Sequence, residues 1–348
     1  MCGICGQFNL GGQPVERAVI ERMTASIRHR GPDSNGVFVS GPIGLGHQRL
    51  SIIDLSEAGN QPMRSPGGSA WIVFNGEVYN YAALKLAMER QGETFVSSSD
   101  TEVLLRLYER FGSGCLEKVN GMFAFAVWDA AAETLFLARD RIGIKPLYYY
   151  LDARVLVFAS EIKALLQCPL VPREVNPEGF VTYFTFGHSF APNTIYRGIK
   201  KLLPGHFLVC SSAGVRITKY WDLDDSPNKQ SVPPDEAASE VRRLLREGVH
   251  SHMVSDVPVG AFLSGGIDSS AIVAFMSEAS RYPVKTFAVG FDVGGYYNEL
   301  ADARIVAERF GTEHHEKIVT DLDVESLIER LVYHYDEQIG RASCRERV

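Results

Sequence analysis

The chain has 348 residues, 45% of them hydrophobic and 22% charged, which fits a globular protein and allows about two domains. Lys plus Arg number 35 against 42 for Asp plus Glu, a net charge of -7, so binding to nucleic acid driven by counterion release is not expected. No apolar run approaches the roughly 18 residues of a membrane span, the amino terminus has no signal-peptide pattern, and six irregularly spaced cysteines suit a reducing compartment. The expectation is a cytoplasmic chain with no membrane partner.

Up to about Tyr220, short β-type runs recur at Val37–Val39, Ala70–Phe74, Met122–Trp128, Thr134–Ala138, Leu147–Leu151, Val155–Ala159 and Gly205–Val209. Helical patterns, with apolar residues three and four apart, fall at Val15–Ile27, Tyr81–Arg90 and Thr101–Phe111. Strand clusters with segregated helices predict a layered α+β domain. Asp, Ser, Pro, Asn and Lys take over at Asp222–Glu236, where Pro233-Pro234 breaks any regular element, and this stretch reads as the linker. Beyond it the pattern alternates: helix Asp235–His252, strand Val257–Leu263, helix Asp268–Ser280, strand Lys285–Phe291, helix Glu299–Phe310, strand Glu316–Thr320, helix Val324–Tyr335. Such alternation predicts a doubly wound parallel α/β sheet.

Cys2 follows the initiator Met, whose removal leaves a cysteine with both a thiol and a free α-amine. An α-amine has a pKa of about 7.7–8.0, so near neutral pH it can take the thiol proton and the residue is its own base. Cys2-Gly3-Ile4-Cys5 also has the spacing of a redox or half-metal site, but no second pair accompanies it. Arg49 carries a fork suited to a carboxylate. Asn75-Gly76-Glu77 ends an apolar run and offers an amide donor beside an unhindered backbone N–H, the parts of an oxyanion hole. Asp100 can pair with a substrate ammonium or cap the helix that follows.

These residues belong to a larger pattern. Cys2-Gly3-Ile4, Arg30-Gly31-Pro32-Asp33, Arg49-Leu50-Ser51-Ile52, Phe74-Asn75-Gly76-Glu77-Val78-Tyr79-Asn80, Ser99-Asp100-Thr101-Glu102 and Arg139-Asp140-Arg141-Ile142-Gly143-Ile144-Lys145-Pro146-Leu147-Tyr148 resemble, in order and spacing, the class II glutamine amidotransferase domain. The resemblance implies an amino-terminal-nucleophile (αββα) fold over residues 1–210. It also implies roles: Cys2 as nucleophile, Asn75 and Gly76 as oxyanion donors, Arg49 as carboxylate clamp, Glu77 and Asp100 as amine contacts, and the backbone of Leu50, Ser51, Ile52 and Ile53 as the glutamine-binding turn. Cys5 departs from the family's usual small residue and is expected to be a core substitution.

In the second half, Val257–Leu263 leads into Ser264-Gly265-Gly266-Ile267-Asp268-Ser269-Ser270 and a helix, a strand–glycine turn–helix arrangement that presents N–H groups to a phosphate. The Walker and dinucleotide glycine patterns are absent. Asp268 can take a Mg²⁺ that bridges phosphates. The loop resembles the pyrophosphate loop of ATP pyrophosphatases. With Thr286–Phe291 and Gly311-Thr312-Glu313-His314-His315-Glu316 it is similar to glutamine-hydrolysing asparagine synthetases. That likeness implies ATP and Mg²⁺ as cofactors, with Leu263, Ser264, Gly265, Gly266, Asp268, Ser269, Ser270 and Val289 around ATP. It further implies glutamine and aspartate as substrates, and ammonia passed from one site to the other. His314 and His315 would face opposite sides of a strand and serve surface or packing roles.

Four segments are expected: 1–210 glutaminase, 211–235 connection, 236–337 the first part of a synthetase domain, and 338–348. In the last, Gln338 replaces the family's Pro, and Ile339–Val348 matches nothing in the family while its back-translation resembles a short-read sequencing adapter, so the native reading is expected to stop at Glu337, which the resemblance implies is a catalytic carboxylate. On that reading the chain at most hydrolyses glutamine and makes no asparagine. The alternatives are a relative amidating another carboxylate on a sugar or peptide, a phosphoribosyl amidotransferase disfavoured by the Ser264–Ser270 loop, and a non-enzymatic scaffold. The oligomeric state is open, with a homodimer as one option.

Overall fold

The computed structural model describes residues 1–224, 232–291, 298–320 and 324–336. They fall into two compact units, one of Met1–Leu223 with the segment from Ile328, the other of Asp224–Leu327.

The strands of the first unit are β1 (Gly3–Asn9), β2 (Ser34–Ser40), β3 (Ile43–Arg49), β4 (Met63–Arg64), β5 (Ala70–Val78), β6 (Gly121–Asp129), β7 (Thr134–Arg139), β8 (Tyr148–Leu151), β9 (Val155–Ala159), β10 (Ile199–Lys201), β11 (His206–Ser211) and β12 (Gly214–Lys219). They form two six-stranded antiparallel sheets, ordered β10-β8-β9-β1-β3-β2 and β12-β11-β7-β6-β5-β4. The alternation in β6 explains how they stack. Phe123, Phe125 and Val127 join a core under the helix Asp100–Phe111, whereas Ala124, Ala126 and Trp128 join a second core with Ile4, Phe8, Leu45 and Leu137 from both sheets. Period two with both faces apolar requires a layer on each side. A third core lies between the first sheet and the helix Arg17–Ser26, through Cys5, Ile20, Met23 and Val157. The order of layers is therefore helix, sheet, sheet, helix, the αββα arrangement expected.

Several elements lie beyond the sequence reading. β1, β3, β10, β12 and the helix Pro177–Phe186 have no counterpart in the sequence pattern. Pro234 does not break the structure but opens the helix Pro234–His252, where a missing N–H costs nothing.

In the second unit β13 (Gly260–Phe262), β14 (Lys285–Phe291) and β15 (Glu313–Val319) form a parallel sheet in that order. The helices Ile267–Ala279 and Leu300–Phe310 connect successive strands, the beginning of the α/β pattern expected. Leu263, Val273, Ala288, Leu300, Ala303 and Ala307 make its core. β14 alternates strictly: Thr286, Ala288 and Gly290 are buried, Lys285, Phe287, Val289 and Phe291 exposed. β13 is shorter and β15 starts earlier than the sequence pattern suggests. No helix among the described residues is long and apolar enough to cross a membrane.

Candidate active site

Cys2 stands just before β1, and the pairing of Gly3 with Gln48 brings it beside Arg49 and Leu50 at the end of β3. The thiol and this turn hold each other: the Leu50 N–H lies 3.4 Å from Sγ, and Sγ lies 3.6 Å from the Leu50 carbonyl oxygen. On β5, Val73 faces the other sheet, so Asn75 and Glu77 at period two face it as well. The inter-sheet core thus ends in polar chemistry. Cys2, Arg49, Asn75, Glu77, Asp100 and Lys145 line one cavity there, together with Leu50, Ile52, Ile53 and Gly76.

The edge of β5 is capped by side chains. Phe74 N–H donates to Gln61 Oε1 at 2.6 Å and Val78 N–H to Asp100 Oδ2 at 2.9 Å. Tyr79 N–H bonds Asn120, so in the antiparallel register the Gly76 N–H points away from β6, to the same edge as those of Phe74 and Val78. A Cβ on Gly76 would lie 2.3 Å from the Met122 carbonyl oxygen, so this close strand contact requires glycine. Asn75 is 1% exposed, and its Nδ2 is buried with no hydrogen-bond partner. A buried amide donor left unpaired is costly unless a ligand meets it.

Burial dominates the electrostatics. It pushes the Cys2 thiol up, against the Leu50 N–H and the terminal ammonium, and it lowers the terminal amine. Asp100 is raised to about 7, by burial first and with Glu77's charge adding. Burial also raises Glu77, which Lys145 and the terminal ammonium oppose, and lowers Lys145. Met1 lies in the cavity with Sδ 3.3 Å from Lys145 Nζ, so its removal opens the space and moves the free amine onto Cys2.

The expected residues behave differently in detail. Ser51 stays outside the cavity lining, its N–H donating to Asp33 Oδ2 at 2.8 Å. Arg49 lines the cavity but also gives Nη1 to Ser56 O at 2.8 Å and Asn60 Oδ1 at 3.0 Å, and Nη2 to Asp54 O. Asp100 is the first residue of its helix, and the cap is Ser99, which accepts from the Thr101 N–H. Cys5 is fully buried against Thr24 Oγ1 at 3.4 Å, its thiol pushed up to about 12 by burial. Gln61 and Lys145 also line the cavity, beyond the residues that the sequence pattern predicts, and Lys145 falls inside the Arg139–Tyr148 motif. That motif also builds its own loop: Arg139 donates to the carbonyls of Gly143, Lys145 and Leu202, and Asp140 accepts from the N–H groups of Phe123, Ile144 and Lys145.

A second cavity, within the other unit, is lined by Leu263, Ser264, Ser269, Phe287 and Val289. Ser264 Oγ lies 3.1 Å from Ser269 Oγ and accepts from the Gly266 N–H at 3.3 Å. Gly265 has φ +79° and approaches Asp302 so closely that a Cβ would lie 2.5 Å from its backbone. Ser270 Oγ is buried without a partner, and Asp268 is exposed in the first helical turn. His314 hydrogen-bonds Thr286 Oγ1 at 2.9 Å while His315 stacks on Phe287 and pairs with Glu313, on opposite faces of β15. No group of three or more metal-binding side chains occurs among the described residues. Glu337 and 338–348 lie outside the described residues.

Residues 1–221 match the glutamine amidotransferase domain family, and residues 240–345 match the asparagine synthase family, a stretch that includes part of the suspected tail. A relative from Methanocaldococcus jannaschii is 38% identical over 98% of this chain and 69% of its own length. Two Bacillus subtilis relatives, asparagine synthetase [glutamine-hydrolyzing] 3 and 1, are 36% and 38% identical over 95% and 98% of this chain, and 56% and 54% of their own lengths. The chain thus spans from about half to about two-thirds of these curated relatives. It belongs to the family of glutamine-hydrolysing asparagine synthetases.

Proposed function

We propose that this chain hydrolyses glutamine at Cys2 and that, in the whole protein, the ammonia released amidates an ATP-activated carboxylate, that of aspartate, to give asparagine. The observation that carries the first half is the unpartnered Asn75 Nδ2, beside the Gly76 N–H on the edge of β5 away from β6, in the cavity of the Cys2 thiol. With Met1 removed, the α-amine takes the thiol proton and Sγ attacks the side-chain amide carbon of glutamine. The two donors stabilise the oxyanion of the tetrahedral intermediate. Collapse breaks the C–N bond; the amine returns its proton to the leaving nitrogen, giving ammonia and a γ-glutamyl thioester. Water, deprotonated by the same amine, then releases glutamate and restores the thiol. Arg49 holds the α-carboxylate, and Glu77 and Asp100 the α-ammonium.

For the second half, the glycine turn and helix start at Ser264–Ser270 offer N–H and hydroxyl groups to phosphates, beside the hydrophobic lining of Leu263 and Val289. Mg²⁺, when bound with ATP, neutralises phosphate charge; one carboxylate, Asp268, with phosphate oxygens and water is a donor set that suits it. The test is glutamate release by the Met1-processed chain. Cys2→Ala is expected to abolish it, and activity retained in that variant would defeat the assignment. Titration with Mg·ATP tests the other cavity, with weaker binding expected for Gly265→Ala, whose Cβ would strike the Asp302 backbone.

A further inference from the structure

A row of alternating charges runs beside the glutamine cavity. Arg30 donates Nε to the Cys2 carbonyl oxygen at 2.9 Å and Nη1 to Glu161 Oε1 at 2.8 Å. Glu161 also meets His29 Nε2 at 3.1 Å and the Lys163 ammonium. Lys163 Nζ then reaches Asp336 Oδ1 at 3.0 Å, and the Lys163 N–H donates to Asp336 Oδ2, also at 3.0 Å. The helix Val324–Tyr335, which leads to Asp336, places Tyr333 4.8 Å over Lys163 and His334 4.9 Å from the His29 ring. Side-chain exposures of 4% for Arg30, 1% for Glu161 and 7% for Asp336 mean that water does little to screen this row.

The Cys2 end is closely packed. A Cβ on Gly31 would lie 2.4 Å from the Gln48 backbone, so the Arg30 turn sits directly on β3, and one on Gly3 would lie 3.3 Å from Arg30 Cδ. Removing one partner of a buried ion pair leaves the other charge uncompensated, so a change at Asp336 is felt at each link.

We propose that Arg30 and Glu161 are positioning residues for Cys2, and that Lys163 and Asp336 extend this positioning to residues 328–336, which thereby tune the glutamine half-reaction. This rests on Cys2 being the nucleophile. The groups facing its thiol are the terminal amine, Arg30, Glu77, Asp100 and Lys145; those facing Glu161 are His29, Arg30, Lys163, Asp336 and His334. Burial would raise Glu161, but His29's hydrogen bond with the charges of Arg30 and Lys163 holds it far below the carboxylate range. Positive members of the row favour the Cys2 thiolate, negative members oppose it.

The test uses the Met1-processed full chain and two readouts: glutamine kcat and KM, and the pH dependence of Cys2 alkylation by iodoacetamide, quantified on the Cys2 peptide. Lys163→Met is expected to raise the half-maximal alkylation pH by about half a unit, and the isosteric Asp336→Asn to lower it by a similar amount. Lys163→Met also lowers kcat at least about threefold with KM within about twofold, and Lys163→Arg restores both readouts. Absent shifts, shifts of the same sign, or failure of Lys163→Arg to restore them would overturn the proposal. Should Lys163→Met not fold, Asp336→Asn decides alone: a downward shift supports the row, no shift or an upward one removes it. Alkylation reads the thiol whether or not glutamine turns over. An inactive parent chain would therefore defeat the proposed function and leave this test readable.

Discussion

Asn75 and Asp100 are almost fully buried polar side chains that line the cavity of the Cys2 thiol. Asn75 Nδ2 is buried without a partner, a deficit that an oxyanion would repair. Asn75→Ala is expected to lower kcat for glutamine about 10²–10³-fold while KM changes little, because the bond forms chiefly in the transition state. Arg49→Lys should raise KM more than it lowers kcat, since a lysine cannot reproduce the fork or its bonds to the loop carbonyls. Asp100 is raised from 3.8 to about 7 by burial, so the folded state binds its proton more tightly than the unfolded chain. Its contribution to stability is therefore complete below about pH 4 and is lost as pH climbs towards 7. Thermal melts across that window should lose this component in Asp100→Asn. In the proposed role at the substrate ammonium Asp100 must be ionised, so glutamine KM should rise as pH falls below about 7.

At the scale of strands, β1 and β3 explain what the sequence pattern could not convey. β1 follows directly on Cys2 and β3 ends in Arg49, and both strands are glycine-rich where branched residues would be expected. Glycine is required because the paired strands and the helix Arg17–Ser26 approach closely. A Cβ on Gly6 would lie 2.5 Å from the Phe158 ring, one on Gly44 2.5 Å from Ile20, and one on Gly46 2.1 Å from Thr24 Oγ1 and 2.8 Å from Cys5 Sγ. Gly46→Val should therefore cost about 1–3 kcal/mol by overpacking, readable as a lower denaturant midpoint at unchanged slope. β6 was legible for the opposite reason, since Phe123 to Trp128 alternate between two cores and every residue reports a face. Motif order revealed the cavity lining on β3, β5 and the Asp100 helix. The links from Arg30 through Glu161 to Asp336 join residues 131 and 173 positions apart along the chain, and only folding brings them together.

The two units of the molecule differ in how completely they bury their sheets. In the first, two sheets and their helices share three cores, and β9 is buried on both faces throughout. In the second, a small core covers one face of a three-stranded sheet, and Phe262, Phe287, Val289 and Phe291 remain 70%, 39%, 52% and 40% exposed. Apolar burial of each large side chain is worth about 1.5–3 kcal/mol, so the second sheet lacks stabilisation that the first possesses on both sides. Opening free energies within one chain follow such differences. Amide hydrogens in β13, β14 and β15 should exchange faster than those in β1, β6 and β9 at the same pH. Melting should accordingly begin in the sheet of β13, β14 and β15 while the proposed glutamine hydrolysis persists. The measurement is hydrogen exchange by mass spectrometry alongside glutaminase activity on a temperature ramp; equal protection of the two sheets, or loss of activity with the first unfolding step, would show that their stabilities are not separate.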